Sequence, residues 1–400
     1  MSRRILVTST AMRIGGVERA LVGLLDSLIR EGHEVSLFLW AHEGEFMGLL
    51  PPGVHLLPEI PAYARLERPI RKAVAQGFPG IGLARLAAKA ITAFRAEVLR
   101  RPGYLLPRSV RYCIPFLPPV PGHYDLVLSF LAPHDIAARK ISASCRAGWI
   151  HTDYGSLECG VDTTFEASMW QSMDALMAVS EGVRDSFISV FPTLADRVQV
   201  MENILSPDFI RQQADEDVSK EMPFEPGIIH LCSVGRFSHA KNFDAIPEAV
   251  RRLGGSGRSV KWYIIGYGPE EELIRRRIQE AGVQDRVIIL GKKVNPYPYM
   301  KACDTYVQPS RYEGKAVTVQ EAQILGKPVL ITNFPTAGSQ VQDGVDGLIA
   351  PMEMDGLVGG IRKLIEDPAL RERLAATAAS RDYCNRSEVE KILRLIKADP

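Results

Sequence analysis

The chain has 400 residues, of which 46% are apolar and 24% charged, and its formal net charge is +1. This composition is typical of a globular protein, and the length favours two domains because single cores stop growing at about 250–300 residues. A net charge near zero excludes a general electrostatic attraction to nucleic acid, so no nucleic-acid partner is expected.

The first half of the sequence predicts alternating strands and helices. Residues 4–8 form an apolar run typical of a buried strand, residues 17–28 carry apolar side chains at helical spacing, and residues 34–39 predict the next strand. A strand–helix–strand unit predicts a parallel sheet with a right-handed crossover. Further strands are predicted at residues 124–130, 147–150, 175–180 and 198–201.

The second half repeats this alternation after a break. Residues 206–227 are polar and acidic and contain three prolines, which predicts a linker. Strands are then predicted at residues 228–234, 261–265, 287–290, 305–307, 328–331 and 347–349, with helices at 270–282, 319–325 and 387–397. We therefore predict an α/β fold with two doubly wound parallel domains, residues 1–205 and 228–385, followed by a C-terminal helix within residues 386–400.

Two glutamates eight positions apart, Glu313 and Glu321, follow the pair Pro309-Ser310. A carboxylate in a loop and a second one about two turns later, at about 1.5 Å per helical residue, can hold a nucleotide sugar at two points. The alternative is a pair of acids favoured by the dipole of a helix N-terminus. The stretch closely resembles the signature of the retaining glycosyltransferases of family 4, which have the GT-B architecture of two Rossmann-like lobes facing a central cleft.

The resemblance implies that Glu313 faces the donor sugar and that Glu321 binds the ribose hydroxyls. It also implies that residues 1–205 are the acceptor-side lobe and residues 228–385 the donor lobe. The residues after Glu313 are expected to bind the donor: Gly314, Lys315, Ala316 and Val317. Many family members have aromatic and small residues where this chain has Lys315 and Ala316, and a glycine-rich turn where it has residues 332–336. The identity of the donor is therefore not carried over.

Arg236 and Lys241 follow the first predicted strand of the donor lobe. Loops at the carboxyl ends of parallel strands are where open α/β sheets bind ligands. A guanidinium can chelate a diphosphate and an ammonium can add a point charge, so both are candidates for stabilising the departing nucleoside diphosphate. The alternative is a pair of solvated surface cations.

Three positions in the first half resemble further family sites. Gly15 and Gly16 stand where a glycine-rich loop lets backbone N–H groups approach phosphate, although many such turns are purely structural. The resemblance gives His151 a contact with the donor sugar near the reacting carbon, and the alternative is a structural histidine. Ser180 matches a family position as well, but a serine after a strand also often caps a helix.

The run Gly266-Tyr267-Gly268 follows a predicted strand and resembles the turn that borders the nucleotide in this family. It lacks the third glycine of a dinucleotide fingerprint. The backbone at Lys293, after the next strand, is expected to pair with the base.

The resemblance implies a retaining glycosyltransferase that moves a sugar from a nucleotide diphosphate donor, for which we expect a UDP-sugar, without a metal or a cofactor. The acceptor is expected to be a saccharide or a lipid-linked one, in bacterial surface polysaccharide or glycolipid synthesis. No Asp-x-Asp follows a predicted strand, and the acidic run at residues 215–217 lies in the predicted linker, so no metal is expected. Two alternatives remain: a sugar-nucleotide epimerase of similar fold, and a non-catalytic nucleotide-binding partner of a polysaccharide-assembly complex.

Residues 61–122 form a basic insert with eleven Lys or Arg and two acids, a net charge of +9. Apolar residues are interspersed with these charges, which suits the surface of an anionic membrane. The alternatives are a solvated helical face and an RNA-binding patch.

The six cysteines are scattered, and several lie in apolar runs, which indicates buried thiols in a reducing compartment. Neither a signal peptide nor an apolar run of about 18 residues is predicted. We expect a cytoplasmic protein, peripheral on the inner face of the membrane.

Overall fold

The computed structural model describes residues 2–98, 105–131, 133–156, 162–254 and 259–397. The chain divides into two compact units. Unit 1 comprises Met1–Ile204 and Arg386–Pro400, and unit 2 comprises Leu205–Asn385.

Unit 1 is built on a parallel sheet. Its strands are β1 (Arg4–Ser9), β2 (Glu34–Leu39), β3 (His55–Leu56), β4 (His123–Ser129), β5 (Ser142–Ile150), β6 (Ala175–Ala178) and β7 (Val198–Val200). They lie in the order β3-β2-β1-β4-β5-β6-β7. The central strand β1 buries Ile5, Leu6 and Val7 completely, as expected for a parallel strand covered on both faces.

Helices connect these strands. They are α1 (Gly16–Arg30), α2 (Pro61–Ala64), α3 (Ile70–Ala75), α4 (Pro79–Glu97), α5 (Leu105–Cys113), α6 (Asp135–Lys140), α7 (Thr163–Trp170) and α8 (Glu181–Val190). Helix α1 packs on the sheet through an apolar face that includes Leu21, Leu25 and Leu28, which the sequence predicts. The basic insert spans α2 to α5, and its residues 99–104 lie outside the described residues.

Unit 2 is built on a second parallel sheet. Its strands are β8 (Ile228–Val234), β9 (Ser259–Ile265), β10 (Val287–Gly291), β11 (Thr305–Gln308), β12 (Val329–Thr332) and β13 (Leu348–Ala350), in the order β10-β9-β8-β11-β12-β13. Its helices are α9 (Pro207–Gln213), α10 (Ile246–Leu253), α11 (Glu271–Ala281), α12 (Tyr297–Ala302), α13 (Val317–Ile324), α14 (Met354–Glu366) and α15 (Pro368–Ser380). The sheet order places β8 beside both β9 and β11, which brings the ends of these strands together.

The segment 206–227, predicted as a linker, is instead part of unit 2. Ser206 caps α9 by accepting a hydrogen bond from the backbone N–H of Phe209 at 3.4 Å. Ile210 and Met222 are buried in the core of unit 2. The polar composition thus belongs to the exposed face of a capped helix and the turns after it.

The last helix, α16 (Val389–Lys397), confirms the helix predicted at 387–397. Val389 and Ile392 pack into the core of unit 1. Lys391 donates a hydrogen bond to the carbonyl of Val200 at 2.8 Å. The chain therefore returns to unit 1 after completing unit 2. Within the described ranges, none of the helices combines the length and the apolar character needed to cross a bilayer.

Candidate functional site

The candidate site lies at the carboxyl ends of four adjacent strands of unit 2, β10, β9, β8 and β11. Backbone hydrogen bonds join the loops that follow them: Gly235 N to Ile265 O, Phe237 N to Tyr267 O and Gly266 N to Gly291 O, each 2.9 Å. These bonds fix the positions of the loops that carry the predicted donor-binding residues. Such an edge is where open parallel sheets bind ligands.

Gly266 and Gly268 make this close packing possible. Their φ angles are 153° and 159°, in a region that favours glycine. A β-carbon on Gly266 would overlap the carbonyl oxygen of Gly235, and one on Gly268 would overlap the backbone of Phe237. The two glycines therefore shape the loop that carries Arg236, next to Gly235 and Phe237. Arg236 itself is exposed to solvent.

Lys241 and Glu313 form an ion pair, with Lys241 Nζ 2.5 Å from Glu313 Oε1. Their side chains are 19% and 10% exposed, so the pair is largely shielded from water. The ammonium has three donors, and this contact uses one of them. The structure thus brings together two residues that the sequence predicts separately, at the ends of β8 and β11.

A buried polar chain orients Glu313. Gln308 accepts a hydrogen bond from the hydroxyl of Tyr306 at 2.7 Å, and its amide donates to Ser310 Oγ at 2.8 Å and to Glu313 Oε1 at 3.2 Å. Ser310 in turn donates to Glu313 Oε1 at 2.6 Å. With Lys241, three donors converge on this one oxygen, which leaves Oε2 as the oxygen that can accept from a ligand.

Sequence reasoning missed Gln308, which is completely buried at the end of β11. A glutamine that directly follows Thr-Tyr-Val in a predicted strand is an available signal, because a buried amide needs partners for its donor and acceptor groups. The positioning of the loop by Arg311 was missed as well. Arg311 binds both carboxylate oxygens of Asp244 at 3.0 and 2.9 Å and donates to the carbonyl of His239 at 2.7 Å. It thereby ties the Glu313 loop to the Lys241 loop.

The residues that follow Glu313 are more buried than a ligand-binding loop suggests. Lys315, Ala316 and Val317 are each less than 10% exposed. The backbone N–H of Ala316 donates to Gln340 Oε1 at 2.8 Å, and Thr336 donates to the carbonyl of Glu313 at 2.9 Å. The segment at residues 332–336, where the sequence departs from the family pattern, thus supplies a support for the Glu313 loop. Gly314, between Glu313 and Lys315, is half-buried.

Glu321 lies on α13 and has no solvent-exposed surface. Its Oε1 accepts a hydrogen bond from the hydroxyl of Tyr297 at 2.8 Å. Contact with a ribose therefore requires the side chains around Glu321 to move aside. The predicted ribose contact stays a prediction, and Tyr297 is the residue that already holds this carboxylate.

Lys293 follows β10 and pairs through its ammonium with both carboxylate oxygens of Glu221 at 2.7 Å. Tyr299 donates to the same carboxylate. These hydrogen bonds from Lys293 and Tyr299 lower the pKa of Glu221. The side chain of Lys293 thus ties the segment after α9 to the strand end, while the predicted contact with the base concerns its backbone.

In unit 1, Gly15 is the N-cap of α1 and Gly16 is its first residue, so both lie at a helix start. The carboxylate of Glu18 lies against Gly15, since a β-carbon there would overlap Glu18 Oε2. Burial raises the pKa of Glu18. A phosphate could approach this helix start only if Glu18 turned away.

His151 follows β5 and is half-buried, with Nε2 2.8 Å from the carbonyl oxygen of Phe130. Burial lowers the pKa of His151 to about 4, so the ring is neutral at pH 7 and Nε2 donates this bond. Nearby His134 is fully buried, its Nδ1 lies 2.7 Å from Ser129 Oγ, and its pKa is lowered to about 3 by burial. Ser180 accepts a hydrogen bond from the N–H of Val183 at 3.2 Å and so caps α8.

The acidic run at residues 215–217 is spread over separate contacts. Asp215 pairs with Lys301 at 2.7 Å, and Glu216 accepts from the amide of Asn295 at 3.0 Å. In the part of the chain that the structure describes, no group of three or more His, Cys, Asp or Glu side chains is arranged to hold a metal ion.

The comparison with known families decides the class of unit 2. Residues 215–381 match the family of group 1 glycosyl transferases. This range lies entirely within unit 2, so unit 2 resembles a group 1 glycosyltransferase domain. The matched range holds the strands β8 to β13 together with Arg236, Lys241, Glu313 and Glu321, so the family prediction is confirmed at this level. Family 4 and the retaining outcome stay predictions.

Curated proteins similar to this chain include bacterial glycosyltransferases. The alpha-D-kanosaminyltransferase of Streptomyces kanamyceticus is 26% identical over 212 residues, which are 51% of this chain and 54% of that protein. The lipopolysaccharide core biosynthesis glycosyltransferase LpsD of Rhizobium meliloti is 32% identical over 147 residues, 36% of this chain and 42% of that protein. The chain thus spans about half the length of these relatives, or less.

Solved structures show the fold of the whole chain. Anabaena Alr3699/HepE, in complex with UDP and glucose, aligns with a TM-score of 0.69 at 18% identity and covers 99% of this chain and 100% of that one. TarM of S. aureus aligns with a TM-score of 0.71 at 12% identity, again over 99% and 100% of the two chains. With two parallel α/β units, the predicted GT-B fold class is confirmed.

Proposed function

We propose that the chain is a retaining, metal-independent glycosyltransferase that moves a sugar from a nucleoside diphosphate donor, a UDP-sugar, to a saccharide or lipid-linked acceptor. The observation that carries the proposal is the Lys241–Glu313 pair, set at adjacent strand ends inside the group 1 domain. Arg236 is the second residue after β8, is exposed and is available to a phosphate. The roles assigned to Arg236, Lys241 and Glu313 rest on this arrangement.

The proposed step is front-face transfer. As the bond between the anomeric carbon and the donor phosphate oxygen breaks, the acceptor hydroxyl forms the new bond on the same face. Its proton passes to the departing phosphate oxygen. Positive charge on the sugar and negative charge on the phosphate grow together, so Arg236 and Lys241 stabilise the leaving group while Glu313 orients the sugar through Oε2.

The names of related proteins support the donor and acceptor classes. HepE is described in complex with UDP-glucose, and TarM in complex with UDP and alpha-GlcNAc-glycerol. A relative of 24% identity from Campylobacter jejuni is named for transfer to a diphospho-undecaprenol-linked sugar. We infer a place in bacterial surface polysaccharide or glycolipid synthesis, on the cytoplasmic face of the membrane. The free thiols of Cys113, Cys232 and Cys303 fit a reducing compartment.

A nucleotide panel tests the donor class. We expect UDP, but not GDP, ADP or CMP, to raise the thermal stability of the protein, by about 2.7 kcal/mol at ~100 times its dissociation constant. Glu321→Ala removes the predicted ribose contact and is expected to abolish most of this shift. Differential scanning fluorimetry measures both effects.

Two further variants give this panel its controls. Tyr297→Phe keeps the carboxylate of Glu321 but removes the hydrogen bond that the Tyr297 hydroxyl donates to it, and should retain the UDP shift. Glu272→Ala removes an exposed acid on α11 and should behave as wild type. A protein that responds to none of the four nucleotides would contradict the donor proposal and favour a non-catalytic partner.

The stereochemistry of the product tests retention. We expect the new glycosidic linkage to have the same anomeric configuration as the donor, because front-face transfer forms the new bond on the side from which the phosphate leaves. NMR coupling constants of the anomeric proton report this directly, once a transferred product is obtained from a panel of saccharide acceptors. An inverted linkage would exclude the mechanism, and interconversion of the donor without an acceptor would point to an epimerase.

A further inference from the structure

Several cations of the basic insert face the interior of unit 1, so the insert presents less positive charge to solvent than its sequence predicts. Arg95 and Arg108 both pair with Asp162, at 2.7 and 2.6 Å, and the side chain of Arg108 is only 5% exposed. Arg111 pairs at 2.8 Å with Asp135, which is itself buried. These cations hold α4 and α5 on unit 1 and cannot serve an external anionic surface.

Two other cations of the insert, Arg85 and Arg68, also have partners within the protein. Arg85 donates to the carbonyl oxygens of Arg65 and Arg68, and Arg68 pairs with Glu43 at 2.8 Å. Three cations are left exposed without an ion pair to any other described residue: Arg71, Lys72 and Lys89. A net charge counted along the sequence therefore overstates the attraction to an anionic surface.

The same region exposes an unusual amount of apolar surface. Nine of the thirteen exposed large apolar side chains in the described ranges lie between Val74 and Phe116. Five of them follow one side of α4 and its C-terminal end, and we call these the α4 apolar face: Leu83, Leu86, Ile91, Phe94 and Val98. Leu83, Phe94 and Val98 are 67%, 54% and 62% exposed.

The spacing of the α4 apolar face is that of one helix side. Its members recur every three to five residues, while Ile81 and Ala88 on the other side are buried against unit 1. A helix of 19 residues is about 28 Å long at 1.5 Å per residue, so this is an extended stripe rather than a single exposed contact. Of the three exposed cations, Lys89 is on α4 itself, and Arg71 and Lys72 are on α3.

We infer that the α4 apolar face is inserted into the interfacial layer of a lipid bilayer, with α4 parallel to the membrane plane. An amphipathic helix with an exposed apolar stripe, accompanied by exposed cations on the same helix and on α3, has the composition of a membrane-surface helix. The few free cations add a preference for anionic lipid, but insertion of apolar side chains dominates the binding. This deepens the proposed function, since it rests on a lipid-linked acceptor that is reached at the membrane.

Vesicle flotation of the full chain tests the inference. Vesicles of phosphatidylcholine with 30% phosphatidylglycerol, and of phosphatidylcholine alone, are compared at 0.1 and 0.5 M NaCl. We expect binding to the mixed vesicles that persists at 0.5 M NaCl, because apolar insertion is not screened by salt. The double variant Leu83→Glu/Phe94→Glu should lower the partition coefficient at least tenfold.

Two matched variants distinguish apolar insertion from electrostatic attraction. Phe224 in unit 2 is 85% exposed, so Phe224→Glu adds the same charge away from the α4 apolar face and should bind as wild type. Arg71→Gln/Lys72→Gln removes the exposed positive charge of α3 and should lower binding no more than about threefold. The UDP-induced thermal shift of each variant is measured in parallel, because none of the substituted residues is a candidate donor-binding residue, so this shift reports the donor proposal independently.

Other outcomes overturn the inference. One such outcome is wild-type binding that disappears at 0.5 M NaCl, together with loss of binding in Arg71→Gln/Lys72→Gln but not in Leu83→Glu/Phe94→Glu. Vesicle binding would then depend on charge alone. Absence of binding to either vesicle would reject a membrane role for the insert. A dimer in light scattering that Leu83→Glu/Phe94→Glu dissociates, without vesicle binding, would make the face a contact between two copies of the chain.

Discussion

Replacement of Lys241 by methionine is expected to lower kcat by about 100- to 1,000-fold, the usual range for removing one group that stabilises developing negative charge. Methionine keeps the length and apolar stem of the side chain but removes the ammonium that lies 2.5 Å from Glu313. The departing diphosphate then loses a cation, and Glu313 keeps the hydrogen bonds from Ser310 and Gln308. Release of nucleoside diphosphate from the donor, measured without an acceptor, checks the prediction.

A matched lysine elsewhere in unit 2 provides the control. Lys261 pairs with Glu225 at 2.5 Å, the same distance as in the Lys241–Glu313 pair, and both side chains are partly exposed. It lies near the start of β9, so it is at the other edge of the sheet from the predicted donor site. Lys261→Met should leave kcat unchanged. If kcat fell equally in Lys241→Met and Lys261→Met, loss of an ion pair would lower activity through folding, and Lys241 would have no role in stabilising the leaving group.

The individual residues of the Lys241–Glu313 pair could be predicted, but the pair could not. Each follows a strand with a clear apolar pattern, and the family resemblance marks both. Their contact depends on β8 and β11 being neighbours in the sheet, although the two residues are 72 positions apart. Strand order of this kind depends on packing over the whole unit, which local periodicity does not encode.

The supporting residues were missed for a related reason. Gln308 and Tyr306 lie in a short buried strand, and Gln308 links the hydroxyl of Tyr306 to Ser310, which in turn donates to Glu313. Thr336 supports Glu313 through its carbonyl, a contact that leaves no motif. Buried polar groups require partners, so their presence in a strand indicates a network but does not identify its members.

Charge and proline content were misleading in two places. The segment 206–227 has a linker composition, yet Ser206 and Pro207 are a cap and a first-turn residue, which is a recognised helix start. In the basic insert, Arg108 and Arg111 count as positive surface in the sequence but pair with buried carboxylates in the structure. Composition gives the number of charged side chains. Whether each one points to solvent or to the interior depends on which face of its helix packs against the rest of the unit.

Gly266→Ala is expected to lower kcat at least 100-fold and to reduce thermal stability. At φ 153° a β-carbon is strained, and here it would also overlap the carbonyl oxygen of Gly235. The loop from Gly235 to Phe237 must shift, and Arg236 moves with it. A displacement of about 1 Å at a positioned group can cost about 100-fold in rate. Donor hydrolysis together with a thermal melt measures the two effects.

Gly282→Ala is the control that introduces backbone strain without displacing Arg236. Gly282 ends α11 at φ 65°, and nothing lies within 4 Å of the β-carbon that alanine would add. Its cost is the backbone strain alone, about 1–2 kcal/mol, far from the strand ends that carry Arg236. We therefore expect Gly282→Ala to lower stability but to keep kcat at a temperature where both variants are folded. A different result would be a loss of kcat in proportion to the loss of stability in both variants. The turn at Gly266 would then contribute only to the stability of unit 2, and its contact with Gly235 would not position Arg236.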